Sequence, residues 1–170
     1  MITKKMAKSL NTQLNHEFYS AYIYLSMSAY CSKMDFNGAA SWFLLQYHEE
    51  QQHATRFYNY LVEQDATISL KRIDKPEKKF GSLLETFQTS LAHEQMMTRK
   101  LNELSDNALK EKDHATYNLL QWFVNEQVEE EATVSEIISK IKLVQNDGYG
   151  LLMIDNELGK RTSMTSGALT

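Results

Sequence analysis

The chain has little that would break a helix or cross-link a fold. Its 170 residues include one proline, Pro76, and six glycines, so long stretches lack the residues that end helices and open turns. A lone cysteine, Cys31, rules out an internal disulfide and fits a reducing compartment. No stretch approaches the roughly 18 apolar residues of a membrane span. The lysine-bearing start, Met1 to Leu10, lacks the apolar run of a secretory signal. Positive charge is not in excess either. The formal net charge of −4 disfavours nonspecific nucleic-acid binding and favours cationic partners. The expectation is a helical, cytoplasmic, single-domain protein with neither a membrane nor a nucleic acid as partner.

What is present is helical periodicity. Apolar residues recur at three- and four-residue steps over 5–33, 39–64, 82–110 and 113–146. Asp113 is the expected N-cap of the fourth segment, and Met34-Asp35-Phe36-Asn37-Gly38 carries turn chemistry between the first two. Asp147-Gly148-Tyr149-Gly150 reads as a break, with a short fifth helix over 151–160. The domain is expected over 1–162, with 163–170 a C-terminal tail. The connection 65–80 holds the proline and a basic run, Lys71, Arg72, Lys75, Lys78 and Lys79, which reads as a solvated loop. Stretched out, its residues span about 50 Å, against about 40 Å for a 27-residue helix. That is enough to cross a bundle from end to end, although length alone leaves up-down-up-down topology open.

The stripes themselves are interrupted. The first reads Leu10, Leu14, Glu17, Ala21, Tyr24, Ser28; the second Phe43, Tyr47, Glu50, His53, Phe57, Leu61. The third reads Leu84, Phe87, Leu91, Glu94, Thr98, Leu101; the fourth Tyr117, Leu120, Val124, Gln127, Glu130, Val134, Ile138, Ile141. Each spacing keeps its residues on one helix face. In every helix the polar members fall near the midpoint, and the midpoints of packed antiparallel helices share a layer. Glu17, Glu50, His53, Glu94, Gln127 and Glu130 are therefore expected to converge. A buried carboxylate without a partner costs several kcal/mol, and a like-charged cluster more. No lysine or arginine interrupts these stripes near the midpoints. Two divalent cations would balance the four carboxylates, and an oxygen-rich set with one imidazole suits iron or manganese better than structural zinc.

Glu17, Glu50-Gln51-Gln52-His53, Glu94 and Gln127-Val128-Glu129-Glu130 together resemble the ferroxidase centre of non-haem bacterial ferritins. The resemblance spans residues 5–160. It includes His16-Glu17-Phe18-Tyr19-Ser20-Ala21-Tyr22 and Asp113-His114-Ala115-Thr116-Tyr117 followed by Leu120-Gln121-Trp122-Phe123. It implies an all-α ferritin-like four-helix bundle with a long crossover between helices two and three and a short fifth helix. It also implies that Glu17, Glu50 and His53 hold one iron while Glu50, Glu94 and Glu130 hold another, with Gln127 beside the second. Tyr24 matches the family's tyrosine near the centre; on spacing alone it is equally an ordinary core tyrosine. Glu49, Glu126, Glu129 and Glu130 match an additional iron position. Without the resemblance, that quartet reads as an exposed acidic face whose like charges repel at i, i+3 and i+4.

The implied activity is oxidation of Fe(II) by O2 or H2O2, with ferric mineral stored in a homo-oligomeric cage of 24 subunits. Haem is not expected, because the position after Glu50, where haem-containing relatives carry methionine, is Gln51. Two rivals share the bundle. Rubrerythrin-type di-iron oxidoreductases usually repeat Glu-x-x-His on helix four and add cysteine pairs, whereas this chain has Gln127-x-x-Glu130 and one cysteine. DNA-protecting mini-ferritins place their ligands across a subunit interface and often carry a basic tail. His16, His48, His93 and His114 lie off the stripes and read as surface residues. Met27, Met34, Met96, Met97 and Met153 read as packing or interface fillers, and Trp122 as a wall of the site or plain core.

Overall fold

The computed structural model of the protein describes residues 2–162; the expected tail, 163–170, lies outside them. The chain forms α1 (Lys4–Lys33), α2 (Asn37–Glu63), α3 (Leu83–Lys110), α4 (His114–Val144) and α5 (Gly148–Leu158). Side chains cap most of the helix starts. Thr3 accepts from the Met6 amide, Asp113 from Thr116 and Asp147 from Gly150, while Ser82 and Glu85 form a reciprocal capping box on α3. The helix ends are less orthodox. Asp35, Asp65 and Lys112 all take positive φ, at 63°, 53° and 57°. In each case the next residue's amide reaches back five positions, as from Phe36 to the Cys31 carbonyl. These are Schellman closures without glycine.

The direction of the crossover is written along α1. Asn11 donates to the Thr67 carbonyl and accepts from the Ser69 amide; Asn15 donates to the Ser69 carbonyl and accepts from the Lys71 amide. Farther along, Ser26 donates to the Glu77 carbonyl and Tyr30 to that of Gly81. The connection thus travels beside α1 from near its start to near its end, satisfying loop backbone groups that would otherwise lie open. α3 therefore starts where α1 ends. Thr3 at the start of α1 bonds Glu111 at the end of α3, and Tyr60 late in α2 bonds Thr116 early in α4. Only an up-down-down-up bundle meets all four constraints. The basic residues of the connection are exposed, as expected of a solvated loop.

Two expected boundaries move. Gly148-Tyr149-Gly150 is the first turn of α5 rather than a break, because Asp147 caps it. Gly38 lies inside α2 rather than in the turn. It is small for a tertiary reason: a Cβ there would sit 1.7 Å from the Asp155 carbonyl oxygen of α5. The Asp155 carboxylate also accepts the Gly38 and Ala39 amides at 3.0 and 2.8 Å, so α5 caps the free N–H groups at the start of α2. Gly38→Ala is expected to push α5 off this seat and cost about 1–3 kcal/mol. Amide hydrogen exchange would show it as faster exchange confined to α5 and the start of α2; unchanged exchange there would contradict the close-packing account.

Inside the bundle the apolar core is split. One cluster gathers Tyr24, Met27, Trp42, Phe43, Phe87, Val134 and Ile138; the other gathers Met6, Leu10, Leu14, Phe57, Leu101, Leu120 and Phe123. The polar layer lies between them. On α4 the apolar face is rotated slightly from the expectation, with Phe123 buried and Val124 half-buried.

Candidate metal centre

α1 places Glu17 in the layer, α2 places Glu50 and His53, α3 places Glu94, and α4 places Gln127 and Glu130. All but Glu130 are nearly fully buried, and Glu130 is half-buried. Among the described residues, Glu17, Glu50 and His53 are the trio whose ligand atoms all lie within 4.8 Å of one another. His53 Nδ1 is 3.6 Å from Glu50 Oε2, too long for a hydrogen bond. Glu50 Oε2 has no hydrogen-bond partner although buried. An orphaned carboxylate oxygen facing an imidazole nitrogen and a second carboxylate is costly unless a cation fills the gap. The donor set therefore fits a divalent metal.

The other carboxylates are held by donors. Tyr24 donates to Glu94 Oε1, and Gln127 Nε2 donates to Glu94 Oε2 at 2.9 Å and to the Glu94 carbonyl at 3.2 Å. Gln46 Nε2 donates to Glu130 Oε2 at 2.8 Å, and Gln13 Nε2 to Glu17 Oε1 at 2.8 Å. Electrostatics agree with a site built for positive charge. Burial, and then the neighbouring charge of Glu50, push the Glu17 carboxyl well above the usual range. Burial and then Glu94 do the same to Glu50. Burial raises Glu94 against the hydrogen bonds from Tyr24 and Gln127, and burial followed by the Glu94 charge raises Glu130 to about 7. Burial and mutual repulsion thus favour the protonated carboxyls in this layer, and a metal bound there would have to displace those protons.

The outer quartet is looser. Glu49 and Glu126 are half-buried and Glu129 is exposed. Burial raises the Glu126 carboxyl, and the charges of Glu129 and Glu49 add to that. Arg161 pairs with Glu49, its Nη2 donating to Glu49 Oε2 at 2.7 Å. The stripes do lack a cation, but one reaches the layer's edge from beyond α5.

Four participants are not on the stripes, Gln13, Gln46, Ser90 and Arg161, and a fifth, Thr98, is on one without being expected to take part. Ser90 Oγ is 3.3 Å from the Tyr24 hydroxyl, and Thr98 donates to Glu131 while standing 3.3 Å from Gln127. A usable signal existed for two of them, since a glutamine stands four residues before Glu17 and again before Glu50, one helical turn away. The histidines off the stripes divide. His48 and His114 are exposed, but His16 and His93 are half-buried between α1 and α3, which corrects their surface reading. His93 Nε2 lies 2.8 Å from Ser20 Oγ, and burial lowers its pKa to about 4; His16 Nε2 lies 2.9 Å from Lys100 Nζ. Trp122 meets the His53 ring edge to face at 5.5 Å, under the Arg56 guanidinium at 4.0 Å. Met27 and Met97 are core residues, whereas Met153 is exposed.

Known proteins share both sequence and shape with this chain. A family model described as a ferritin-like domain matches residues 7–144. A bacterial non-heme ferritin of Staphylococcus aureus (strain MRSA252) is 40% identical over 162 residues, covering 95% of this chain and 98% of that protein. One of Campylobacter jejuni is 41% identical over 155 residues, covering 91% of this chain and 93% of its own length. The open-pore ferritin of the hyperthermophilic archaeon Archaeoglobus fulgidus superposes with a TM-score of 0.94 at 40% identity, over 95% of this chain and all of that one. With the ferritin-like model spanning most of its length and relatives of this identity matching nearly end to end, the chain belongs to the ferritin family.

Proposed function

We propose that the protein stores iron and detoxifies it as a ferroxidase. One domain over 1–162 would assemble with its copies into a cage of 24 subunits in the cytoplasm and hold ferric mineral inside. No described helix is long and apolar enough to cross a membrane. The observation that carries the reading is the buried trio Glu17, Glu50 and His53, with Glu50 Oε2 left without a partner. Supporting it are the relatives that carry the name non-heme ferritin over nearly the whole chain.

In this reading Fe(II) is the substrate and two ions bind per subunit. Glu17, Glu50 and His53 take one, and Glu50, Glu94 and Glu130 take the other, with Gln127 beside it. The two Fe(II) ions each lose one electron to O2 or H2O2. The chain supplies the positions and the charge: four carboxylates that shed protons as the metal arrives, and an aromatic and apolar wall that limits water. Tyr24 steadies Glu94 through its hydroxyl, and Gln127 does so from the opposite helix. Glu49, Glu126, Glu129 and Glu130 then offer a third position on the way to storage. No haem takes part.

Glu17→Ala or His53→Ala is expected to slow the fast phase of Fe(II) oxidation by more than about tenfold, with the helical signal and assembly mass retained. Stopped-flow absorbance after mixing with aerated Fe(II), beside light scattering, checks it. An unchanged initial rate in both variants would remove the trio from the reaction, and a parent that elutes as a monomer would remove the cage.

A further inference from the structure

Arg161 follows α5 by three residues, yet it is anchored like a core side chain. Its Nη2 donates to Glu49 Oε2 at 2.7 Å and its Nη1 to Gln46 Oε1 at 2.5 Å. The guanidinium carbon stands 4.7 Å from the Trp42 ring centroid, so the fork is engaged by hydrogen bonds and its face by an aromatic ring. Gln46, fully buried, relays the contact: its Nε2 donates to Glu130 Oε2 at 2.8 Å. The helix before Arg161 is itself seated on α2 through Asp155. The cation is therefore delivered to a fixed place. It touches one carboxylate of the outer quartet directly and a second through one amide.

We infer that Arg161 is a tethered cation that competes with metal for the outer carboxylates, so that the third ion is held only after it displaces the guanidinium from Glu49. The inference rests on the iron-handling reading above. Glu49, Glu126, Glu129 and Glu130 repel one another when ionised, and a fixed +1 charge at Glu49 relieves part of that repulsion while cargo is absent. A divalent ion settling there must break the Arg161–Glu49 bond and gains less for doing so, because one carboxylate was already neutralised. The Arg161 fork is taken up by Glu49 and Gln46, and the one inner ligand it reaches is Glu130, indirectly through Gln46, so the inner positions fill without breaking the Arg161–Glu49 bond. The consequence is a graded site, in which the inner ions bind first and the outer one is held loosely enough to pass on.

The test is calorimetric titration of Zn(II), which cannot be oxidised, into the metal-free full-length protein. The variants are Arg161→Gln, Arg161→Lys, and Arg161→Gln combined with Glu49→Gln. Removing the guanidinium should tighten the weakest Zn(II) step about fivefold, as expected for a part-exposed charge pair, and leave the tighter steps in place. Arg161→Lys, which keeps the charge but loses the fork, should fall between parent and Arg161→Gln. Adding Glu49→Gln should erase the gain. The inference is overturned if Arg161→Gln leaves the weakest step unchanged or weaker, or if the gain survives loss of the Glu49 charge. A parent that takes up no Zn(II) at the inner positions would instead overturn the two-metal reading, and this inference with it.

Discussion

Glu50→Gln should make the metal-free protein more stable while nearly abolishing its reaction with Fe(II). Glu50 is fully buried, one of its oxygens has no hydrogen-bond partner, and burial followed by the Glu94 charge pushes its carboxyl well above the usual range. The sign follows from linkage. Below the unfolded carboxylate pKa of about 4.5, Glu50 is protonated folded or unfolded, and a neutral glutamine differs little from it. As pH rises, the unfolded chain ionises while the folded one keeps its proton, so stability contributed by that proton is lost. Glutamine has no such loss. The variant should therefore match the parent near pH 4.5 and exceed it by about 1–3 kcal/mol at pH 8.

In chelator-treated protein that difference corresponds to a melting temperature about 3–10 °C higher at pH 8. Adding Zn(II) should reverse the order, because only the parent gains the binding free energy. Fe(II) oxidation in the variant should fall by roughly 100-fold or more. A parent more stable than the variant at pH 8 without metal would mean the carboxylate is held by something other than a cation. Equal gaps at pH 4.5 and pH 8 would mean that ionisation is not the cause. In the proposed reading the layer is a local sacrifice of stability for function, and Tyr24, Gln13, Gln46 and Gln127 limit its size by donating to three of the carboxylates. Glu50 is the one they leave out.

Helix spacing made that layer legible. A residue every three or four positions fixes a side chain's face, and the match of midpoints fixes its depth, so six residues from four helices could be placed together from the sequence. The crossover was legible only as a possibility. Its direction depends on Asn11, Asn15, Ser26 and Tyr30 reaching loop backbone, contacts that leave no periodic trace. Asp35, Asp65 and Lys112 end helices without the glycine that usually marks such ends, while Gly38, which looked like a turn residue, is required by α5. Arg161 was hidden for a different reason. It lies 112 residues from Glu49 and belongs to no stripe, so only the packing of α5 on the start of α2 brings it to the site.

In the proposed reading, Gln127 and Glu130 separate a site that passes iron onward from one that keeps it. The Gln127 amide nitrogen donates to Glu94 Oε2 at 2.9 Å and to the Glu94 carbonyl at 3.2 Å, so it steadies that carboxylate without adding charge. Changing it to glutamate would set a carboxylate against Glu94 with no proton to share at high pH. That repulsion is relieved only by a cation. Glu130 has the opposite character. Half-buried, with its carboxyl raised to about 7 by burial and then by the Glu94 and Glu49 charges, it accepts from Gln46. A histidine there would offer a neutral nitrogen to the inner ion and remove the carboxylate shared with the outer one. Gln127→Glu with Glu130→His should therefore retain its iron pair through mild chelation that strips the parent, and slow repeated turnovers of Fe(II) oxidation. The measurements are residual iron per subunit after chelation and the rate of successive Fe(II) additions in one sample. In the metal-free state the double variant should also melt below the parent at pH 8, because the new carboxylate has no donor. If it loses iron as readily as the parent and oxidises each new addition as fast, ligand exchange through Glu130 is not how iron leaves this centre.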